Sequence, residues 1–337
     1  MGSRVFLRVI VPATLFASLA AFGHHVMLAG TQRSGSGQAL LQNCLPGKET
    51  ITDSIKTGVV GVDVTLCVMT NFFQASFNPE GVPLLWGFGT TLVTLVALPL
   101  IEASRAGRTA MFGWPTILLL GLMYQLQGIG VWFNAYWFKL IVFGFTKSDK
   151  HPGPRHVVNR AYAEANLFAI LVGFALPSQA MLGFFDPLVT AAWQFFPVWV
   201  LLARGLYLLV RPRTSGNGYS VVQATYFVTF ALSAFGNAHA IWLLRDNLAS
   251  FLSTLPPSID PPAFAESTFT AAALQFLKWD WLVTSAAGLL ATLWTARSPG
   301  EVVSIALWNV IATPLFGAGA AISGVLMWRE KRLNGSK

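Results

Sequence analysis

Nine predominantly apolar stretches, each near the length that crosses about 30 Å of hydrocarbon, dictate what this chain can become. They fall near residues 5–29, 57–76, 84–102, 116–145, 161–182, 187–210, 219–244, 271–296 and 301–328. In lipid every backbone N–H and C=O must find its partner within the chain, and a run of this length does so as a helix. The expected fold is all-α: a polytopic membrane helix bundle of about eight or nine transmembrane helices, forming a single transmembrane domain over residues 1–337. Only 11% of residues are charged and 54% are hydrophobic, so no stretch is left over for a separate soluble domain.

Details of the runs refine this layout. The stretch 116–145 is long for one span and holds Gly121, Gly128 and Gly130, which predicts a tilted, kinked or broken helix. The first run starts in basic sequence, as a signal peptide does, but continues through His24 and His25, and is expected to be a retained helix. Two longer connections, Gly30 to Lys56 and Arg245 to Glu266, are expected to lie over a membrane face. The net charge of +8 comes from basic segments such as Lys147 to Arg160 and Arg329 to Lys337, which suit lipid headgroups and give no sign of a nucleic-acid site. Lysines and arginines divide almost evenly between the two sides of a nine-span layout, which leaves orientation open. Cys44 and Cys67 form no CxxC or Cys/His pattern, and neither a disulfide nor structural zinc is expected.

An ionisable side chain inside a span costs roughly 2.5–3.5 kcal/mol, so each needs a packing partner or a task. Asp63 lies early in the second run, Glu102 closes the third beside Arg105, and Asp280 sits in the eighth within Lys278-Trp-Asp-Trp281. Glu102 and Arg105 are three apart and can neutralise each other on one helix face. Lys278 is two residues from Asp280 and faces elsewhere. The nearest basic residue to Asp63 is Lys56. His239 stands without a second histidine at ligand spacing. Gln125, Gln194 and Asn237 are neutral companions, while Trp193 and Trp279 suit either a pocket wall or an interfacial aromatic belt.

Several chemistries lack their residues. No HxxxH or HxxHH box offers ligands to a di-iron hydroxylase, and no paired histidines suggest haem. No DDxxD or NDxxDxxxD cluster could hold Mg²⁺ against a diphosphate. GxSxG and Walker A patterns are missing. No cofactor and no metal is expected, and acid chemistry or transport remains.

The order of several short motifs resembles the fungal integral-membrane terpene cyclases of indole-diterpene and meroterpenoid pathways, the paxilline and macrophorin type. Gly61-Val-Asp63 followed by Asn71-Phe-Phe73 resembles that family's second span, and Glu102-Ala-Ser-Arg105 the end of its third. Pro115 with Gln125 resembles the fourth. Leu176-Pro177 followed by Trp193-Gln-Phe-Phe-Pro197 is the most specific match, and Phe276-Leu-Lys-Trp-Asp280, Gly317-Ala-Gly319 and Trp328-Arg-Glu330 are similar to the C-terminal part. The chain departs at Gly130-Val-Trp-Phe-Asn-Ala-Tyr136, where the family has a proline and a tyrosine close together.

The resemblance implies a lipophilic prenylated small-molecule substrate that often carries a terminal epoxide, cyclised after protonation without a cofactor. It also implies a multi-pass protein of the endoplasmic reticulum membrane, in contact with lipid and acting as a monomer or homo-oligomer. A carboxylic acid among helices keeps its proton because burial disfavours its charged form. The candidate donors are Asp280, then Asp63, then Glu102, the last ranked lowest because Arg105 favours its ionised form. Gln125 or Asn237 would orient the acid; Trp193, Gln194, His239 and Trp279 complete the candidate substrate-binding set. A small-solute or proton-coupled transporter is the alternative, since it too places acids in spans. Such folds commonly carry two related halves, and residues 1–160 do not resemble 161–337. A non-catalytic subunit or receptor is the third reading, under which changing Asp63 or Asp280 alters stability alone.

Overall fold

In the computed structural model, residues 5–47, 50–107, 112–145, 156–211, 216–264 and 268–335 are described. Most of the basic segment from Lys147 and the final two residues lie outside them. Among the described residues the chain is helical, with two isolated β-bridges and no strand. A π turn at Phe6–Ile10 leads into α1 (Val11–Val26), followed by α2 (Leu28–Ser34), α3 (Ser36–Asn43), α4 (Val60–Ala75) and α5 (Gly81–Ala103). Then come α6 (Trp114–Gln127), α7 (Ile129–Lys139) and α8 (Arg160–Ile170), the last prolonged by a π turn at Leu171–Ala175. The remainder is α9 (Leu176–Phe184), α10 (Pro187–Trp193), α11 (Phe196–Val210), α12 (Tyr219–Leu243), α13 (Leu248–Ser253), α14 (Phe269–Thr292), α15 (Pro299–Phe316) and α16 (Ala318–Leu333).

Four of these stretches are long and apolar enough to cross a membrane: Phe6–Ser34, Gly81–Ala103, Arg160–Phe184 and Pro299–Phe316. Helices α10 and α11, bent by 64° at their junction, make a fifth if taken as one span. The central helix is α5. It is apolar all round, with Leu95, Leu98, Leu100 and Ile101 fully buried, and the other helices gather about it. Helix α1 packs on α7 and α14, where Phe22 meets Trp279 edge-on, and Phe16 meets Trp294 in the turn that follows α14.

The break expected in 116–145 falls at Gly128 and reverses the chain. Lys139, at the end of α7, places its ammonium 4.6 Å from the ring centre of Phe112, just before α6, so α6 and α7 form an antiparallel hairpin. Gly128 turns it with φ 91° and ψ 140°, a region essentially reserved for glycine. Run 301–328 behaves alike. Gly317, at φ 86° and ψ 158°, turns α15 into α16, and Arg332 reaches back to Glu301 at 2.9 Å. A helix C-terminus and the next N-terminus then share one residue.

The two ends of the bundle differ. One end, the base, holds buried ion pairs: Glu102 with Arg105 (2.9 Å) and Arg329 (2.7 Å), and Arg105 with Glu330 (2.5 Å). Glu164 takes Arg160 and Arg211 there as well. The opposite end is capped by α2 to α4 and the connection after α12. The Gly30–Lys56 segment, read as a loop, is largely helical and meets the second long connection, where Arg33 lies 3.6 Å from Asp260. Cys44 and Cys67 are joined in a disulfide, contrary to the sequence expectation. Folding α3 back along α4 brings their Cα atoms to 5.7 Å, an approach that a separation of 23 residues does not announce.

Candidate functional site

Between the cap and α5 lies a cavity of about 220 Å³ that is partly open to the surface beside Leu126 and Gln179. Its walls come from α2 to α7, α9, α10, α12 and α14, and aromatic faces dominate: Phe72 and Phe73 of α4, Phe88 of α5, Tyr124 of α6, Trp193 of α10 and Phe276 of α14. Among the described lining residues, Asp280 is the one carboxylic acid.

The local sequence fixes Asp280 in place. It lies in the middle of α14 and is 5% exposed. Its Oδ1 accepts from the backbone N–H of Gly130 at 2.5 Å, and its Oδ2 from that of Ile129 at 3.3 Å. These are first-turn donors of α7, which have no partner inside their own helix, and Asp280 supplies it from another element. Close approach requires glycine at 130, because a Cβ there would lie 2.9 Å from Asp280 Oδ1. Thr284, one turn on, donates a long bond at 3.5 Å. The hairpin turn at Gly128 and the acid on α14 thus form one unit facing the cavity.

Gln125 also lines the cavity, and its Nε2 donates to Gln194 Oε1. Gln194 donates to the carbonyl of Thr190, whose hydroxyl receives Gln74 Nε2 at 2.9 Å. Gln194 therefore stands behind the wall and holds Gln125. The Trp193 indole N–H donates to Ser178 Oγ at 2.9 Å.

The remaining sequence candidates do not line the cavity. Asp63 accepts from the N–H and hydroxyl of Thr57, both at 2.7 Å, and from the N–H of Gly58 at 3.1 Å, ordering the turn that starts α4. Glu102 belongs to the ion-paired base, as its spacing from Arg105 anticipates. Asn237 donates to the Pro314 carbonyl beside Gly317. His239 sits in an aromatic stack with Trp86, Phe235 and Trp242. Trp279 donates to the Ser258 carbonyl and ties the cap to α14. Of the candidates, Asp280, Gln125 and Trp193 share the cavity. Sequence reasoning missed Tyr124, Ser178 and Phe276 as wall residues, although Phe276 opens the Phe276-to-Asp280 motif and is one helical turn from the acid. Among the described residues no three His, Cys, Asp or Glu side chains come together as metal ligands would.

Several known proteins are similar to this chain. The chain is similar to "Terpene cyclase janA" of Penicillium janthinellum, 26% identical over 72% of this chain and 69% of that protein. It is similar to "Terpene cyclase ascI" of Acremonium egyptiacum, 26% identical over 68% of this chain and 65% of that one. It also matches "FAD-dependent monooxygenase verC1" of Penicillium polonicum at 26% identity over 68% of this chain, spanning 30% of that longer protein. No solved structure matches. The resemblance read from the ordered motifs holds, and because the CtvD domain pattern matches residues 7–333, this chain belongs to the CtvD family.

Proposed function

We propose that this protein is a membrane-embedded terpene cyclase in which Asp280 protonates the terminal epoxide, or terminal alkene, of a prenylated substrate and starts carbocation ring closure. The observation that carries the reading is a carboxylic acid, the one acid among the described lining residues, fixed by α7 on the wall of an aromatic-lined cavity. Two curated relatives are named terpene cyclases. The relative named as an FAD-dependent monooxygenase contains a segment like this chain, which is consistent with an oxygenated substrate.

The chemistry is an isomerisation. The proton moves from the Asp280 carboxyl to the epoxide oxygen as a carbon–oxygen bond breaks, and successive alkenes attack the cation. Loss of a final proton returns the acid to its starting state. Aromatic faces stabilise each cation by about 0.5–2 kcal/mol, and mostly apolar walls limit quenching by water. Because the reacting groups belong to one molecule, much of the acceleration comes from holding the chain in one fold, and wall shape carries product identity. Gln125, braced by Gln194, offers a neutral polar contact that takes no proton from the acid.

We read the bundle as multi-pass in the endoplasmic reticulum membrane, with the disulfide-bearing cap in the lumen. An oxidising compartment suits the disulfide, and the arginines of the base suit a cytosolic face. The test is the chain in microsomes or nanodiscs, given farnesyl- and geranylgeranyl-aromatic epoxides with EDTA present. The expected result is a cyclised product of unchanged mass. If folded protein converts neither chain length, the reading fails.

A further inference from the structure

The direction of one amide in the cavity wall is set from behind the wall. Gln194, 7% exposed, donates its Nε2 to the backbone carbonyl of Thr190 at 3.2 Å. A carbonyl only accepts, so the nitrogen of Gln194 faces Thr190 and its Oε1 faces Gln125. That oxygen admits only a donor, and Gln125 gives it Nε2. Reversing either amide, or both, sets two acceptors or two donors against each other at a buried contact. The Thr190 hydroxyl is spent as well: it receives Gln74 Nε2 and donates to the Asp186 carbonyl, both at 2.9 Å. The donors of this chain thus run away from the cavity and end on backbone carbonyls.

Gln125 Oε1 is the atom left over. Among the described residues nothing donates to it, and it keeps accessible surface on a side chain that lines the cavity. The hydroxyls of Thr31, Thr90 and Ser178 in the same wall give their hydrogens to carbonyls about one turn back, so they do not supply the missing donor.

We propose that Gln125 is the specificity-determining residue of the cavity, an oriented acceptor that reads a hydroxyl or N–H on the substrate, and that Gln194 is the positioning residue that keeps it so oriented. The inference rests on the cyclase reading above for the substrate class. The donor is not the epoxide. An epoxide oxygen carries no hydrogen, and the one it gains in the first step is shared with Asp280, so the group that Gln125 reads lies elsewhere on the molecule, on its head group. The place suits a head group: Gln125 precedes Leu126, beside which the cavity opens to the surface. Acceptor and acid together also choose the direction of binding. A chain entering the other way round sets its epoxide, which only accepts, against Gln125 Oε1, and leaves its polar hydrogen without a partner.

The test measures binding apart from turnover. Protein in nanodiscs is titrated with unreactive analogues whose terminal alkene is saturated: a farnesyl-phenol, its methyl ether, and its deoxy counterpart, which lacks the donor without adding bulk. A prenyl-indole and its N-methyl form repeat the comparison for an N–H donor. Wild type is expected to bind the donor form of at least one series about tenfold or more tightly than the forms that lack it, and kcat/KM for the corresponding epoxides is expected to follow the same order. Gln125→Leu, of similar volume without the acceptor, is expected to bring each series within about threefold. Gln194→Met leaves Gln125 present but frees its amide to turn, and is expected to reduce the preference likewise; a merely structural role for Gln194 weakens all the analogues alike. Equal binding of donor and donor-free forms in both series by wild type overturns the proposal, as does a preference that survives in folded Gln125→Leu or the absence of saturable binding by any analogue. If wild type cyclises the epoxides without such a preference while Gln125→Leu lowers kcat, Gln125 is a dipole facing a cation; the proposal falls and the cyclase reading stands. If the preference depends on Gln125 but no epoxide is cyclised, the cyclase reading falls and the oriented acceptor stands.

Discussion

Replacing Asp280 separates a catalytic acid from a helix-capping acid, since the proposed mechanism gives it the first duty and its contacts with α7 the second. Its two oxygens satisfy the Gly130 and Ile129 N–H groups, and each buried donor left without a partner costs about 1–3 kcal/mol. Asp280→Ala orphans both and is expected to lose about 2–6 kcal/mol of stability. Asp280→Asn keeps one carbonyl oxygen for Gly130 and is expected to lose about 1–3 kcal/mol, leaving a foldable protein. A general acid contributes about 10²–10⁴-fold, so turnover per folded Asn variant should fall by that factor. Folded protein is quantified by fluorescence-detected size exclusion across a temperature ramp, and product by mass spectrometry from the same preparation. If Asp280→Asn melts early but retains more than about a tenth of wild-type turnover per folded molecule, Asp280 is a cap and the proton comes from elsewhere.

The other predictions act away from the cavity. Glu102→Gln leaves Arg105 and Arg329 buried without their shared carboxylate, and is expected to cost about 3–5 kcal/mol in thermal melts while the KM of the surviving folded fraction stays near wild type. Gly317→Ala forces a Cβ into a positive-φ turn and to 3.1 Å from Asn237 Cβ, for a stability loss of about 1–3 kcal/mol by the same melts. Cys44→Ser opens a loop of 23 residues and is expected to lose ~3 kcal/mol, with reductant abolishing the difference from wild type.

Hydropathy made the helical character legible, because a lipid-length apolar run has one way to satisfy its backbone. Direction was harder to see. A break and a reversal look identical in composition, and Gly128 signals a weak point without saying that α7 returns along α6. The same holds for Gly317. Asp280 was legible as an acid without a local partner, but its cross-helix role as the acceptor for α7 depends on contacts 150 residues apart in sequence. Asp63 looked equally isolated; its partners are backbone and hydroxyl donors of the turn before α4, which charge counting ignores. Trp193 carried two weak meanings, belt or wall, and three-dimensional placement makes it wall. The disulfide was invisible because a spacing of 23 residues is one loop length among many.

The two glycine-turned hairpins constrain how a protein of this design can diversify. Helices α6 with α7, and α15 with α16, rise from the base and return to it through one residue each, so they offer the capped end no loop in which insertions could accumulate. On the proposed cyclase reading, new substrate head groups would be accommodated by the cap helices and α9, where sequence can vary without disturbing the hairpin that holds the acid. That reading would place chemistry and selectivity on separately evolvable parts of one bundle.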